Sequence, residues 1–348
     1  MKLLLSALAT LLAAPILADG NVTVYGQANV AVVYNKNFLE ALVGGTQTNV
    51  GMMRIDSQTS RIGFRGEETL DGDLKAFFKI ETGAGLDNAS ATSFASREGW
   101  VGLKGGFGTV WLGRGKSIYT QAYEDIDFMY GIFDVGLSGY NTTGRDSSKL
   151  DDGISYRVSN VLRYTYNQGP WFAGAEIALG EDKNATHDAR REVNATVKYK
   201  TSDWWAAAAI DNVSNVVQRY NPSTTSQSGH LNNWLVGTGM YLGPGSIHIM
   251  FQRHAYDEPG YQNRRNSFQL AGTYDMVSAN VYGDIIWNGK LQENGATRPK
   301  SDNLYYGFGV AVPLSKRTVW RTEFGQIHFA DSARWTQTYS MSGLFHSF

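Results

Sequence analysis

Gly113, Gly115, Lys116 and Ser117 have the residue types that cradle a phosphate. Such a loop needs Gly, four residues and then Gly-Lys-Ser/Thr, so that backbone N–H groups and the lysine wrap the anion at a helix N-terminus. Counting back from Gly115 puts Val110 where the first glycine must stand, and no helix-like apolar periodicity follows Lys116. Metal chemistry fares no better. The six histidines, at 187, 230, 248, 254, 328 and 346, are scattered, and none stands at metal-ligand spacing from another. His248 shares a strand face with Ser246, which alone makes no site. The carboxylate pairs Glu67-Glu68 and Asp151-Asp152 are adjacent, so on a strand their members point to opposite faces. The chain has no cysteine, which excludes disulfides, zinc thiolates, iron–sulfur clusters and a cysteine nucleophile. No catalytic residue, metal site or cofactor is assigned. The acidic stretches 125–134 and 146–152 offer oxygen ligands to hard cations, without an EF-hand loop.

The elements that carry these residues repeat with period two. In SRIGFRGE, Ile62 and Phe64 oppose Arg61, Arg65 and Glu67. In LKAFFKIE, Leu74, Ala76, Phe78 and Ile80 oppose Lys75, Lys79 and Glu81. In REVNATVKYK, Val193, Ala195, Val197 and Tyr199 oppose Glu192, Asn194, Thr196, Lys198 and Lys200. Such alternation marks strands, and it places Arg65, Lys75 and Lys79 on the polar faces of theirs. The phosphate-like segment is therefore a hairpin: residues 100–104 and 109–114 joined by Gly105-Gly106-Phe107-Gly108. Short turns (LDGD, GGFG, NQGP, LGPG, LSK) alternate with long polar loops at 36–59, 115–155, 181–189, 215–231 and 289–302. We expect about sixteen strands of about ten residues, the length a tilted strand needs to cross a bilayer, with short turns on one rim and long loops on the other. Tryptophans 100, 171, 204, 234, 320 and 335 fall near strand ends, where interfacial girdles sit.

Composition agrees. Of 348 residues, 39 are Gly, 7 are Pro and 13% are aromatic, a balance suited to strands and tight turns. With 31 basic and 32 acidic residues, nothing suggests nucleic acid as a partner. Residues 1–18, MKLLLSALATLLAAPILA, have the short basic start, apolar stretch and small final residue of a secretory signal. Its removal takes Lys2 away and moves the formal charge from −1 to −2. Residues 19–348 are then a single barrel domain. The end, GLFHSF, puts Leu344, His346 and Phe348 on one face and finishes on an aromatic residue.

NVTVYGQANVAVVYN, SRIGFRGEETLDGDLKAFFKIETG, SREGWVGLKGGFGTVWLGR and the terminal Phe348 together resemble the general trimeric porins of Gram-negative outer membranes. The resemblance implies an all-β fold: a sixteen-stranded antiparallel transmembrane barrel whose third external loop, beginning at Gly115, folds inward and narrows the pore. It implies passive diffusion of ions and small hydrophilic solutes, no enzymatic activity, and a homotrimer among outer-membrane lipid and lipopolysaccharide. Carried over by motif, Arg61, Arg97 and Arg157 would form the basic wall of the constriction, and Glu81 matches an acidic position. Parity supports Arg61, and Arg157 as well, with Val158, Leu162, Tyr164 and Tyr166 expected on the lipid face. Arginine is costly there, by about 2–4 kcal/mol near the midplane. Opposing carboxylates should come from the third loop: Glu124, Asp125, Asp127 and Asp134. Its aromatics Tyr119, Tyr123, Phe128 and Tyr130 are read as packing. Two alternatives stand beside this reading: a channel selective for a sugar or organic acid, and a soluble secreted β-protein.

Overall fold

A sheet in hydrocarbon can satisfy all its backbone N–H and C=O groups only by closing on itself, since an open edge would leave a row unpaired. The chain closes in this way. The computed structural model describes residues 22–36, 51–87, 93–124, 126, 128–129, 157–181, 183, 188–217, 227–330 and 336–348. The strands are β1 (Thr23–Lys36), β2 (Gly51–Asp56), β3 (Arg61–Asp71), β4 (Leu74–Gly83), β5 (Glu98–Gly105), β6 (Gly108–Lys116) and, after the short helix α1 (Ile118–Tyr123), β7 (Arg157–Gln168), β8 (Trp171–Leu179), β9 (Arg191–Lys200) and β10 (Trp204–Val217). Then come β11 (Gln227–Leu242), β12 (Gly245–Glu258), β13 (Tyr261–Asp275), β14 (Asn280–Asn288), β15 (Gln292–Glu293), β16 (Ala296–Thr297), β17 (Asn303–Pro313), β18 (Thr318–Phe329) and β19 (Thr336–Ser347). β2 and β3 are two pieces of one wall strand, both paired to β1, while β15 and β16 form a hairpin between β14 and β17. The barrel thus has sixteen walls, each antiparallel to its neighbours, and β1 pairs with β19 to close it. Phe348 secures the seam: its N–H and C=O both bond to Gly26 at 3.1 Å.

Every expected short turn is present, between β3 and β4, β5 and β6, β7 and β8, β11 and β12, and β17 and β18. Three of the expected loops are partly strand: β2 occupies the end of 36–59, β10 and β11 extend into 215–231, and 289–302 carries the β15–β16 hairpin.

The usual burial rule is inverted. Val101, Leu112, Leu162, Val236, Ile249 and Phe308 are exposed on the outer surface, whereas Glu176, Asp211, Asn233, Gln252 and Gln269 are buried. Trp171, Trp204 and Trp320 are exposed as a girdle requires, but Trp100 is not: it points inward and is 4% exposed. Its parity follows Lys104, not Val101 and Leu103. Trp335 lies outside the described residues.

Candidate functional site: the charged wall of the lumen

Inward-facing positions of β3 to β9 put their side chains along one side of the lumen. Their pairing register sets a row across the strands: Glu67 faces Phe77, Phe77 faces Gly102, Gly102 faces Trp111, Trp111 faces Arg163 and Arg163 faces Glu176. One step toward the loops, Arg65 faces Lys79, and Lys79 faces Trp100.

Ion pairs hold this wall. Glu81, nearly buried, accepts a 2.7 Å hydrogen bond from Arg97 Nε, lies 3.5 Å from Arg61 Nε and accepts from the Tyr25 hydroxyl at 3.2 Å. Lys79 pairs with Glu98 at 2.7 Å, and Lys116 pairs with Glu124. Arg163 donates through Nε to Glu176 at 2.6 Å, and its guanidinium lies 4.5 Å above the Trp100 ring. Toward the short-turn rim, Lys75 and Lys104 share Glu67. Arg65 sits 5.4 Å over the Tyr25 ring.

The chain after β6 turns into the lumen and docks along β8, β9 and β10, reaching β12 through Tyr119. Ser117 caps α1 by accepting the Thr120 N–H at 3.0 Å, so the Gly-Lys-Ser sequence is a strand end followed by a helix cap. That short helix was not legible as periodicity. Glu176 accepts the Ile118 N–H at 3.1 Å, and Thr196 donates to the Ile118 carbonyl at 2.9 Å. Gln252 donates to the Tyr119 hydroxyl at 2.7 Å, and burial pushes that phenol well above its ordinary pKa. Tyr119, Ala122 and Ile126 are buried against Leu235, Met250 and Ile286. Phe128 meets His248 edge-on at 5.1 Å; His248 itself accepts from Trp205 Nε1 at 2.8 Å and bonds Ser246 at 2.8 Å. Tyr119 and Phe128 therefore pack, as expected.

Between α1 and the charged wall lie two connected cavities. The first, about 440 Å³, is lined by five cations (Arg61, Lys79, Arg97, Lys116, Arg163) and three carboxylates (Glu81, Glu98, Glu124). The second, about 540 Å³, adds Lys198 and Lys200 and reaches Gly169 and Pro170 at the β7–β8 turn. Gln121, Glu124, Asn167 and Phe172 line both, so the space runs past α1 to the short-turn rim.

Of the residues expected in the site, Arg61, Arg97, Lys79, Glu81 and Glu124 come together here. Arg65 and Lys75 belong to the same wall strands outside this lining, and Asp125, Asp127 and Asp134 lie outside the described residues. Arg157 opens β7 opposite Lys116 and is not part of the lining; Arg163 is. A bulge explains the shift. Gly113 pairs with Val161 but Gly115 with Val158, an extra residue accommodated with Asn160 at φ 58°. Parity reverses across it. Leu162 and Tyr164 face outward, but Val158, expected beside them, packs with Trp100, Val161 and Ala178 instead. Sequence reasoning missed Arg163, although it sits between two lipid-facing residues, placed Trp100 in an outer girdle, and passed over Trp111 and Phe172.

A closed barrel, apolar outside and charged within, with a chain segment folded into its lumen, is a pore of the outer-membrane type. Sequence and fold comparisons give the family. Residues 5–332 match the Gram-negative porin family. Major outer membrane protein P.IB of Neisseria sicca is 27% identical over the full length of both chains. The P.IB protein of Neisseria gonorrhoeae is 37% identical over 79% of this chain and 68% of its own. Among solved structures, an anion-selective porin from Comamonas acidovorans superposes with a TM-score of 0.76 at 21% identity, covering 95% of this chain and 100% of that one. OmpF of Salmonella typhi, in complex with daunomycin, gives 0.68 at 14% identity over 94% and 97%. The chain belongs to the Gram-negative porin family. It resides in the outer membrane and lets ions and small solutes diffuse passively through its barrel, without catalysis.

Proposed function

We propose that this porin favours anions and that Arg61, Lys79, Arg97 and Arg163 form the basic side of its constriction. The observation that carries this reading is the charge of the lumen lining: five cations against three carboxylates beside α1, with two further lysines below. Low-dielectric barrel walls focus such an excess on a passing ion. Glu124, followed by Asp125, Asp127 and Asp134, supplies the acidic side from the inward loop. Arg157 lies at the loop end of the wall, nearer the entrance. The similarity in fold to a porin described as anion-selective agrees with this assignment.

The proposal extends to the assembly. Residues 1–18 direct export, residues 19–348 form the barrel, and three barrels associate in outer-membrane lipid and lipopolysaccharide. Support comes from the apolar flank around β1 and β2, where Val24, Met52, Met53 and Ile55 are exposed, and from a Vibrio cholerae relative in fold described in a trimer form. The test is the zero-current potential of purified pores across a KCl gradient. Chloride preference that weakens in Arg97→Ala supports the reading; potassium preference in the unaltered protein overturns it.

A further inference from the structure

The lumen wall carries aromatic rings among its charged side chains. Trp111 and Phe172 face inward among charged side chains, half-buried, and both line the cavity beside α1. Their placement is built. The Trp111 N–H is spent on Thr165 Oγ1 at 3.1 Å, which fixes the indole plane. Phe77 meets that indole edge-on at 4.6 Å, and Trp100 does so at 5.9 Å. Gly102 makes room: a Cβ there would stand 2.5 Å from the Phe77 ring. Trp100, by contrast, lies under Arg163 and is nearly buried.

We propose that this wall is a subsite for planar aromatic carboxylates, with Trp111 and Phe172 receiving the ring and Arg61, Lys79 and Arg97 the carboxylate. It rests on the anion preference proposed above and names a solute class for it. Glu81 engages the Nε of both arginines, and a guanidinium has five donors, so Glu81 does not exhaust them. Planar aromatic rings gain by offset or edge contact with indole and phenyl, a gain beyond plain area burial that saturated rings lack. A ring flanked by charged groups on one side suits an ionised ligand better than a neutral sugar, which would leave those charges desolvated and unmatched. The cavity, about 440 Å³, has room for a single substituted benzene ring.

The experiment compares benzoate with cyclohexanecarboxylate, of equal charge and similar size, as blockers of chloride current through the intact protein in planar bilayers. Benzoate should reach half-block at about fivefold lower concentration, the ratio that aromatic contact supplies. In Trp111→Leu that ratio should fall to near one. The KCl zero-current potential is read in the same membranes. Equal block by the two acids in a chloride-preferring pore overturns the subsite and leaves the anion reading standing. Discrimination retained in a potassium-preferring pore supports the subsite and overturns the anion reading. Unchanged discrimination in Trp111→Leu removes that residue from the subsite and overturns the assignment.

Discussion

Glu81 shows how much one side chain decides. It holds Arg61 and Arg97 together on the lumen wall, so replacing it removes a negative charge and frees two positive groups from their common partner. A unit charge about 10 Å from a passing ion changes its energy in water by roughly 0.4 kcal/mol, about twofold in occupancy. Glu81→Gln should therefore raise the chloride-to-potassium permeability ratio by about twofold, and Arg97→Ala should lower it by a similar factor, both read from zero-current potentials. A Glu81→Gln pore that moves toward potassium would contradict the placement of this carboxylate on the ion path. Individual residues were legible where a motif or strict alternation carried them. Arg61, Lys79 and Glu81 alternate with Ile62 and Ile80, and hydrocarbon tolerates no other orientation. Arg157 and Val158 were misplaced because the bulge beside Asn160 reverses parity within one strand, and nothing in the local residue types announces the extra residue; Arg163 alternates with Leu162 and Tyr164 but stands in no motif that singles it out.

The elements that matter most are β5, β6 and the segment that follows them. β6 is paired on both edges and carries Gly115 against the Trp100 indole of β5. A Cβ at Gly115 would stand 2.4 Å from the Trp100 indole nitrogen. Gly115→Ala should push that indole toward the lumen and lower single-channel conductance, measurable at fixed salt; unchanged conductance would mean the ring has another way out. α1 is held in place by its anchors. Its six residues are too few to be stable alone, so the helix persists through Glu176, Thr196, Gln252 and the apolar contacts of Tyr119 and Ile126. Tyr119→Ala removes both the ring and the hydrogen bond from Gln252, and should make the current noisier with frequent partial closures in single-channel records. A quiet current would contradict the anchoring. This helix escaped sequence reading because its stability comes from docking, while strands and turns write their period into the chain.

At the scale of the whole barrel, selectivity is electrostatic and must answer to salt. Screening reaches about 8 Å at 0.15 M and about 3 Å at 1 M, so lumen charges influence ions only nearby at high salt. The permeability ratio should approach one as KCl rises from 0.1 to about 1 M; a ratio independent of salt would point to size or chemistry rather than to this wall. The barrel itself was the most legible part of the molecule, because strand after strand repeats the same demand for an apolar outer face. Ion selectivity depends on which strand face meets the lumen. With no native cysteine, an introduced thiol reports alone. The measurement is therefore the current through reconstituted Lys79→Cys and Val101→Cys pores before and after a membrane-impermeant, negatively charged thiol reagent. Modification at 79 should sharply reduce chloride preference, while the pore with cysteine at 101, on the lipid face, should be unaffected. An unresponsive thiol at 79, or a responsive one at 101, would contradict the orientation of the wall.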